Sequence, residues 1–208
     1  MNNLVIVGAG GFGKEITVLI DDINREKPTW SLLGFIDNWH PVGTVVQGYP
    51  VIGNVEDLNA YQEEVWAILA FGDNKKLYDH YIQIKNPKIH FANLIHPTVH
   101  IDPTVKLGHG NILSYCTFIS CNVVIGDGNI FNIRTVVGHD AIIGSFNMFN
   151  PGVVISGAVN MGNHNFWGLN SSIVQCREVG NGNRVGAHSL LVKSIRDDGF
   201  YFGNPASI

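Results

Sequence analysis

The chain has 208 residues, a formal net charge of −4 and 45% apolar residues, enough for one or two domains with a sizeable core. An acidic balance without a Lys/Arg run argues against nucleic acid or an anionic membrane as the main partner. Leu4–Val7 is too short an apolar run, with no basic segment before it, for a signal peptide or a spanning helix, so a cytoplasmic protein is expected. Cys116, Cys121 and Cys176 are odd in number and lack CxxC spacing, which fits reduced thiols.

In chain order, Leu4-Val-Ile-Val reads as a buried strand. The turn Gly8-Ala-Gly10-Gly11-Phe-Gly13 follows, and then a helix whose Ile16, Leu19, Ile20 and Ile23 fall at i, i+3, i+4 and i+7. Further strands are predicted at 32–37 and 65–71, with helices near 55–61 and 74–85. The result is a small three-layer parallel α/β unit over 1–92, a Rossmann-like half domain. Gly8, Gly10 and Gly13 stand where a phosphate-binding turn belongs, since glycines permit close approach and the helix N-terminus offers free N–H groups. Asp37, ending the second strand, is placed to accept hydrogen bonds from a ribose or a base. Gly72, Asp73 and Asn74 follow the third strand at the same edge and can complete the crevice. A mononucleotide suits half a dinucleotide fold better than NAD does.

From Ile95 to Leu191 every sixth residue is apolar, and a Gly-x-x-Asn pattern beginning at Gly108 returns every eighteen residues at Gly126, Gly144, Gly162 and Gly180. This periodicity predicts a solenoid over 93–208, an all-β parallel β-helix with three short strands per coil and coils about 4.8 Å apart. Phe131, Phe149 and Trp167 should form an internal aromatic column, and Asn111, Asn129, Asn147, Asn165 and Asn183 a hydrogen-bonded ladder on one face. The glycine column suits a corner that needs φ > 0 or close backbone approach.

Nine histidines raise the question of a metal. His109 and His164 share one side of the predicted prism but lie three coils apart, roughly 14 Å. His139 and His188 belong to the other two, and the rest lie at the junction or in the front unit, so no intrachain ligand set and no bound metal are expected. His139 is different, because Asp140 beside it can orient the ring or stabilise imidazolium. Gly157 is one coil away in the same column, where its N–H can serve as an oxyanion donor to an acyl carbonyl.

The Gly-rich front unit, the coils carrying Val136-Val-Gly-His-Asp140 and the ending Gly203-Asn-Pro-Ala206 together resemble the PglD and NeuD-like bacterial sugar acyltransferases over nearly the whole chain. The resemblance implies a left-handed β-helix, a homotrimer, and acetyl-CoA held between neighbouring helices as acyl donor, with no permanently bound cofactor. It implies His139 as general base, Asp140 as its orienting residue, Asn132 as an active-site amide and Gly157 as oxyanion donor. A nucleotide-linked amino sugar, expected to be a 4-amino-4,6-dideoxy sugar, would lie around Gly8, Gly10, Gly11, Gly13, Asp37, Asn38, Gly72, Asp73 and Asn74. Acetyl-CoA would lie along Gly157, Gly168, Leu169, Ala187, Gly203, Asn204 and Pro205. Two departures stand out: Met148 replaces a second histidine found in some members, and no basic residue follows Pro205-Ala206. The expected activity is acetyl-CoA-dependent N-acetylation of the sugar amine by direct attack. O-acetylation of a sugar hydroxyl, a non-catalytic nucleotide-binding trimer and a zinc hydratase of the same shape are the alternatives.

Overall fold

In the computed structural model, which describes residues 1–207, the front of the chain runs β1 (Asn2–Val7), α1 (Gly11–Glu26), β2 (Trp30–Ile36), β3 (Val45–Val46), β4 (Tyr49–Gly53), α2 (Val55–Asn59), β5 (Val65–Leu69), α3 (Asn74–Gln83) and β6 (Ile89–Phe91). The sheet order is β3-β4-β2-β1-β5-β6, parallel throughout except for the β3–β4 hairpin. β1 is central, and its Leu4, Val5, Ile6 and Val7 are all buried, as a strand covered on both faces requires. α1 buries Ile16, Leu19, Ile20 and Ile23 and ends before Pro28, which disfavours helical geometry at Lys27. Asn54 starts α2 through a capping box with Asp57, and Asp73 starts α3 by accepting from the N–H groups of Lys75 and Lys76. The sequence pattern does not predict β4 or the edge strands β3 and β6. They are short, and β4 carries Pro50 and an end glycine that mask the strand pattern.

The chain divides into compact units Met1–Pro97 and Thr98–Ile208. In the second, two-residue strands alternate with corners, and up to Leu191 the strands pair in parallel with those eighteen residues later: Ile130–Phe131 with Met148–Phe149, Val136–Val137 with Val154–Ile155, Ile142–Ile143 with Asn160–Met161. The last turn is two residues shorter, Arg184–Val185 pairing with Phe200–Tyr201. The inward residue of every hexad from Leu113 to Leu191 is buried, whereas Ile101 and Leu107 in the first coil are half-buried. Phe131 stacks on Phe149 at 4.8 Å and Phe149 on Trp167 at 6.4 Å, completing the aromatic column. The described helices include none long and apolar enough to cross a membrane.

The asparagine ladder forms, but inside the corner rather than on an open face: all five residues are at most 1% exposed. Each amide of Asn129, Asn147, Asn165 and Asn183 donates to the Oδ1 of the preceding one at 3.0–3.1 Å, and the same oxygen accepts the backbone N–H. Burial of these groups is tolerated because the ladder satisfies them. The glycine column also divides the two roles offered by the sequence. A Cβ on Gly144 would lie 2.6 Å from the Gly162 carbonyl oxygen, so close approach explains the glycine. Positive φ falls two residues later, at Gly110, Gly128, Phe146, His164 and Gly182, with φ of 58–69°. The other two corners repeat the left-handed residue at Cys116, Arg134, Gly152, Asn170 and His188, and at Asn122, Asp140, Ala158 and Cys176.

Candidate active site

His139 stands on the corner between Val136–Val137 and Ile142–Ile143, with its side chain 60% exposed. Its Nδ1 lies 2.7 Å from Asp140 Oδ2. An ionised carboxylate only accepts, so this contact assigns the ring proton to Nδ1 and leaves the lone pair on Nε2. Asp140 is held in turn by the Asn122 amide at 3.0 Å. The His139 hydrogen bond, followed by that of Asn122, lowers the Asp140 pKa below the ordinary carboxylate value. Asn122 is a site residue that the sequence reading misses. Its position eighteen residues before Asp140, one rung away in the same column, is the signal that points to it.

Gly157 occupies the next rung. A Cβ built there would sit 2.7 Å from His139 Nε2 and 2.8 Å from Cε1, so the basic nitrogen lies directly over the bare α-carbon. Among the described residues the Gly157 N–H donates no hydrogen bond, although its carbonyl accepts from Cys176. A proton acceptor and an uncommitted donor therefore share one small surface. Cys121, the preceding rung of this column, is free and half-buried, with its sulfur 3.9 Å from Ser120 Oγ.

Asn132 is on the preceding corner, where its Oδ1 accepts from the Ile133 N–H. Gly168, Leu169 and Ala187 share that corner and line one groove of ≈ 370 Å³ with Phe166, Arg184 and Phe200. Pro205 belongs to a separate cavity of ≈ 590 Å³, with Leu191, Ile195 and Tyr201 as apolar wall and Lys193 and Arg196 as cations. Positive charge is thus present beside the Pro205-Ala206 ending despite the lack of a basic residue after it. Gly203 and Asn204 line neither space. Met148 is buried in its strand.

In the front unit the glycines of the turn play separate parts. Gly8 adopts φ +105°, and a Cβ on Gly13 would lie 2.2 Å from the Gly8 carbonyl oxygen, so these two are required by the chain itself. Added Cβ atoms on Gly10, Gly11 and Gly72 would meet nothing within 4 Å. Asp37 departs from expectation: Oδ2 accepts from Ala9 N–H at 2.7 Å, and Oδ1 accepts from Trp39 and His40 N–H at 2.8 and 2.9 Å. The His40 ring adds a contact at 3.0 Å. Burial pushes the carboxyl up, but the N–H donors of Ala9, His40 and Trp39 with the His40 ring outweigh it, and the pKa lies below the usual value. Asp37 ties the glycine turn to the loop after β2, with Oδ1 taking three of these contacts and Oδ2 one. Asn38 accepts from Val55 N–H at 3.3 Å and lines a polar crevice of ≈ 640 Å³ with Asn54, Glu56, Asn59, Gln83 and Lys85. Asp73 is the α3 cap, and Asn74 is buried. Among the described residues no group of three His, Cys, Asp or Glu side chains is arranged to hold a metal.

Residues 3–79 match the family described as the PglD N-terminal domain. The whole chain superposes on solved structures. A variant of perosamine N-acetyltransferase from Caulobacter crescentus, in complex with CoA and GDP-perosamine, is 25% identical with a TM-score of 0.87, covering 100% of this chain and 96% of that one. The acetyltransferase domain of PglB from Neisseria gonorrhoeae, in complex with acetyl coenzyme A, is 28% identical with a TM-score of 0.88, covering 100% and 99%. WeeI from Acinetobacter baumannii is 25% identical with a TM-score of 0.89, covering 100% and 99%. No curated protein matches the chain.

Proposed function

We propose that this chain, whose residues 3–79 match the PglD N-terminal domain and which superposes over its whole length on solved acetyltransferases, transfers the acetyl group of acetyl-CoA to the amine of a nucleotide-linked amino sugar. The observation that carries this reading is the Nε2 of His139 lying over the bare Gly157, whose N–H is uncommitted among the described residues. The neutral sugar amine attacks the thioester carbonyl, and Nε2 takes the proton released as the new C–N bond forms. The Gly157 N–H stabilises the oxyanion. Asp140, anchored by Asn122, stabilises the imidazolium. Collapse breaks the C–S bond, and the imidazolium proton goes to the leaving thiolate, yielding amide and CoA. No acyl-cysteine is required, since among the described residues Cys121 has no activating partner beyond the Ser120 hydroxyl.

The acting form is a homotrimer. Within one chain, Asn132, Gly168, Leu169 and Ala187 stand on one corner, and His139 and Gly157 on the next. The strands joining these corners carry an outward column of Phe118, Val136, Val154, Ser172 and Leu190, with Phe118 42% and Val154 38% exposed. Burying that column around a three-fold axis would set the acetyl-CoA corner of one copy against the His139 corner of its neighbour. The nucleotide would occupy the front unit, close to Gly10, Gly11 and Gly72.

The test is His139→Ala assayed with acetyl-CoA and nucleotide-linked amino sugars. We expect kcat to fall by about 10²–10⁴ with both substrates still bound. A variant with near-normal kcat overturns the assignment of the base.

A further inference from the structure

We propose that Trp39 is the platform on which the base of the nucleotide-linked substrate stacks. The inference rests on the nucleotide-sugar reading of the front unit and names the group that reads the base there. Trp39 is 89% exposed, and Val42 and Val45, three and six residues on in the chain, are 70% and 67% exposed, an apolar ledge of this segment that folding leaves uncovered. Large aromatic side chains are seldom left so bare, because each offers a large area for burial. The segment is anchored nonetheless. The Trp39 N–H is held at 2.8 Å by Asp37 Oδ1, the His40 N–H and ring are bound to the same oxygen, and Gly43 N–H donates to the Val51 carbonyl at 2.8 Å.

The position of this ledge gives it an occupant. The other oxygen of the same carboxylate holds the Ala9 N–H, inside the glycine turn. One buried side chain thus clamps the backbone of Trp39 and the backbone of the turn together at the carboxyl edge of a parallel sheet, the edge at which such sheets bind ligands. Gly10 and Gly11 next to Ala9 are bare, and a Cβ on either would have nothing within 4 Å, so no protein contact demands glycine there. A diphosphate near those glycines would bring its nucleoside within reach of the ledge. With the oxygens of Asp37 already engaged, recognition of the base passes from a carboxylate hydrogen bond to an aromatic face, and stacking tolerates any base because each has a π face.

Fluorescence isolates this residue. Trp30 is 8% exposed, Trp167 is fully buried and Trp66 half-buried, so iodide quenching reports chiefly on Trp39. The full chain is titrated with UDP, GDP and dTDP, and with inorganic pyrophosphate as a probe lacking a base. We expect a bound nucleoside diphosphate, but not pyrophosphate, to shield the quenchable fluorescence. Trp39→Ala should raise the nucleoside diphosphate Kd about tenfold or more, whereas Trp39→Phe should retain most of the affinity. In turnover, Trp39→Ala should raise the KM of the nucleotide-linked sugar without moving that of acetyl-CoA. Unchanged Kd in Trp39→Ala, with wild-type fluorescence still open to iodide when nucleoside diphosphate is bound, overturns the stacking role and leaves the nucleotide reading intact. Failure of every nucleoside diphosphate to bind the wild-type chain overturns both.

Discussion

Glycine does opposite work in the two units. In the solenoid, Gly126 and Gly144 are hemmed in by the next coil, and an added Cβ would lie within 3 Å of its backbone. In the front unit, Gly10, Gly11 and Gly72 face open space. Where packing leaves no room, the residue reports architecture; where nothing in the protein excludes a side chain, a ligand is the better reason for its absence. Gly157 is a third kind, since the His139 imidazole rather than backbone fills the space its side chain would need.

Substitutions by alanine break or sharpen this contrast. The largest effect is expected at Gly157→Ala, where the methyl group displaces the His139 imidazole and kcat should fall by about 10²–10⁴, as for loss of a general base. In a His139→Ala background the same methyl should add little further loss, and full additivity in that double mutant would show that Gly157 acts independently of the ring. Next comes Gly144→Ala. Backbone cannot yield as a side chain does, so denaturant titration should show a loss of about 1–3 kcal/mol or more, with any remaining folded enzyme active.

Gly10→Ala should behave in the reverse way. Its φ of −75° suits alanine, so stability should rise by about 0.4–1 kcal/mol through the unfolded state. The KM of the nucleotide-linked sugar should increase severalfold while that of acetyl-CoA holds. Equal affinity for the sugar would make Gly10 a plain turn residue. The smallest effect concerns Asp37. Its folded pKa is depressed, so its stabilising contribution is fully present above the unfolded value of about 3.9 and is lost as pH falls through the lower folded value. The stability gap between wild type and Asp37→Asn should therefore close below about pH 3.9, and a gap constant across that range would mean that the carboxylate charge is irrelevant to the clamp.

Legibility in the sequence follows the same division. The hexad register, the aromatic column and the ladder are consequences of strict periodicity, and each can be placed by counting. Counting cannot tell that the Asn111–Asn183 ladder is buried, because burial depends on whether neighbouring amides satisfy one another. In the front unit the three predicted strands and all three helices are visible through apolar spacing and caps, but β3, β4 and β6 are short elements fixed by pairing, β3 with β4 in a hairpin, β4 with β2 and β6 with β5. His139, Asp140 and Gly157 are legible because two are adjacent and the third lies one period away. Asn122 obeys the same arithmetic, yet nothing in its residue type marks it as a support for a carboxylate. Asp37 is visible as an acid at a strand end, but only the folded chain shows that Ala9, Trp39 and His40 already claim its oxygens.

The eighteen-residue register, unbroken from His100 to Leu191, makes that stretch of the second unit a ruler. Along the column that bears His139, residues recur only at whole rungs: Gly157, then Gln175, then Lys193. Positions along the axis are therefore quantised in steps of about 4.8 Å. An acyltransferase built this way cannot adapt to a longer or shorter acyl donor by small backbone drift. It must exchange the residue on a given rung, or gain or lose an entire coil.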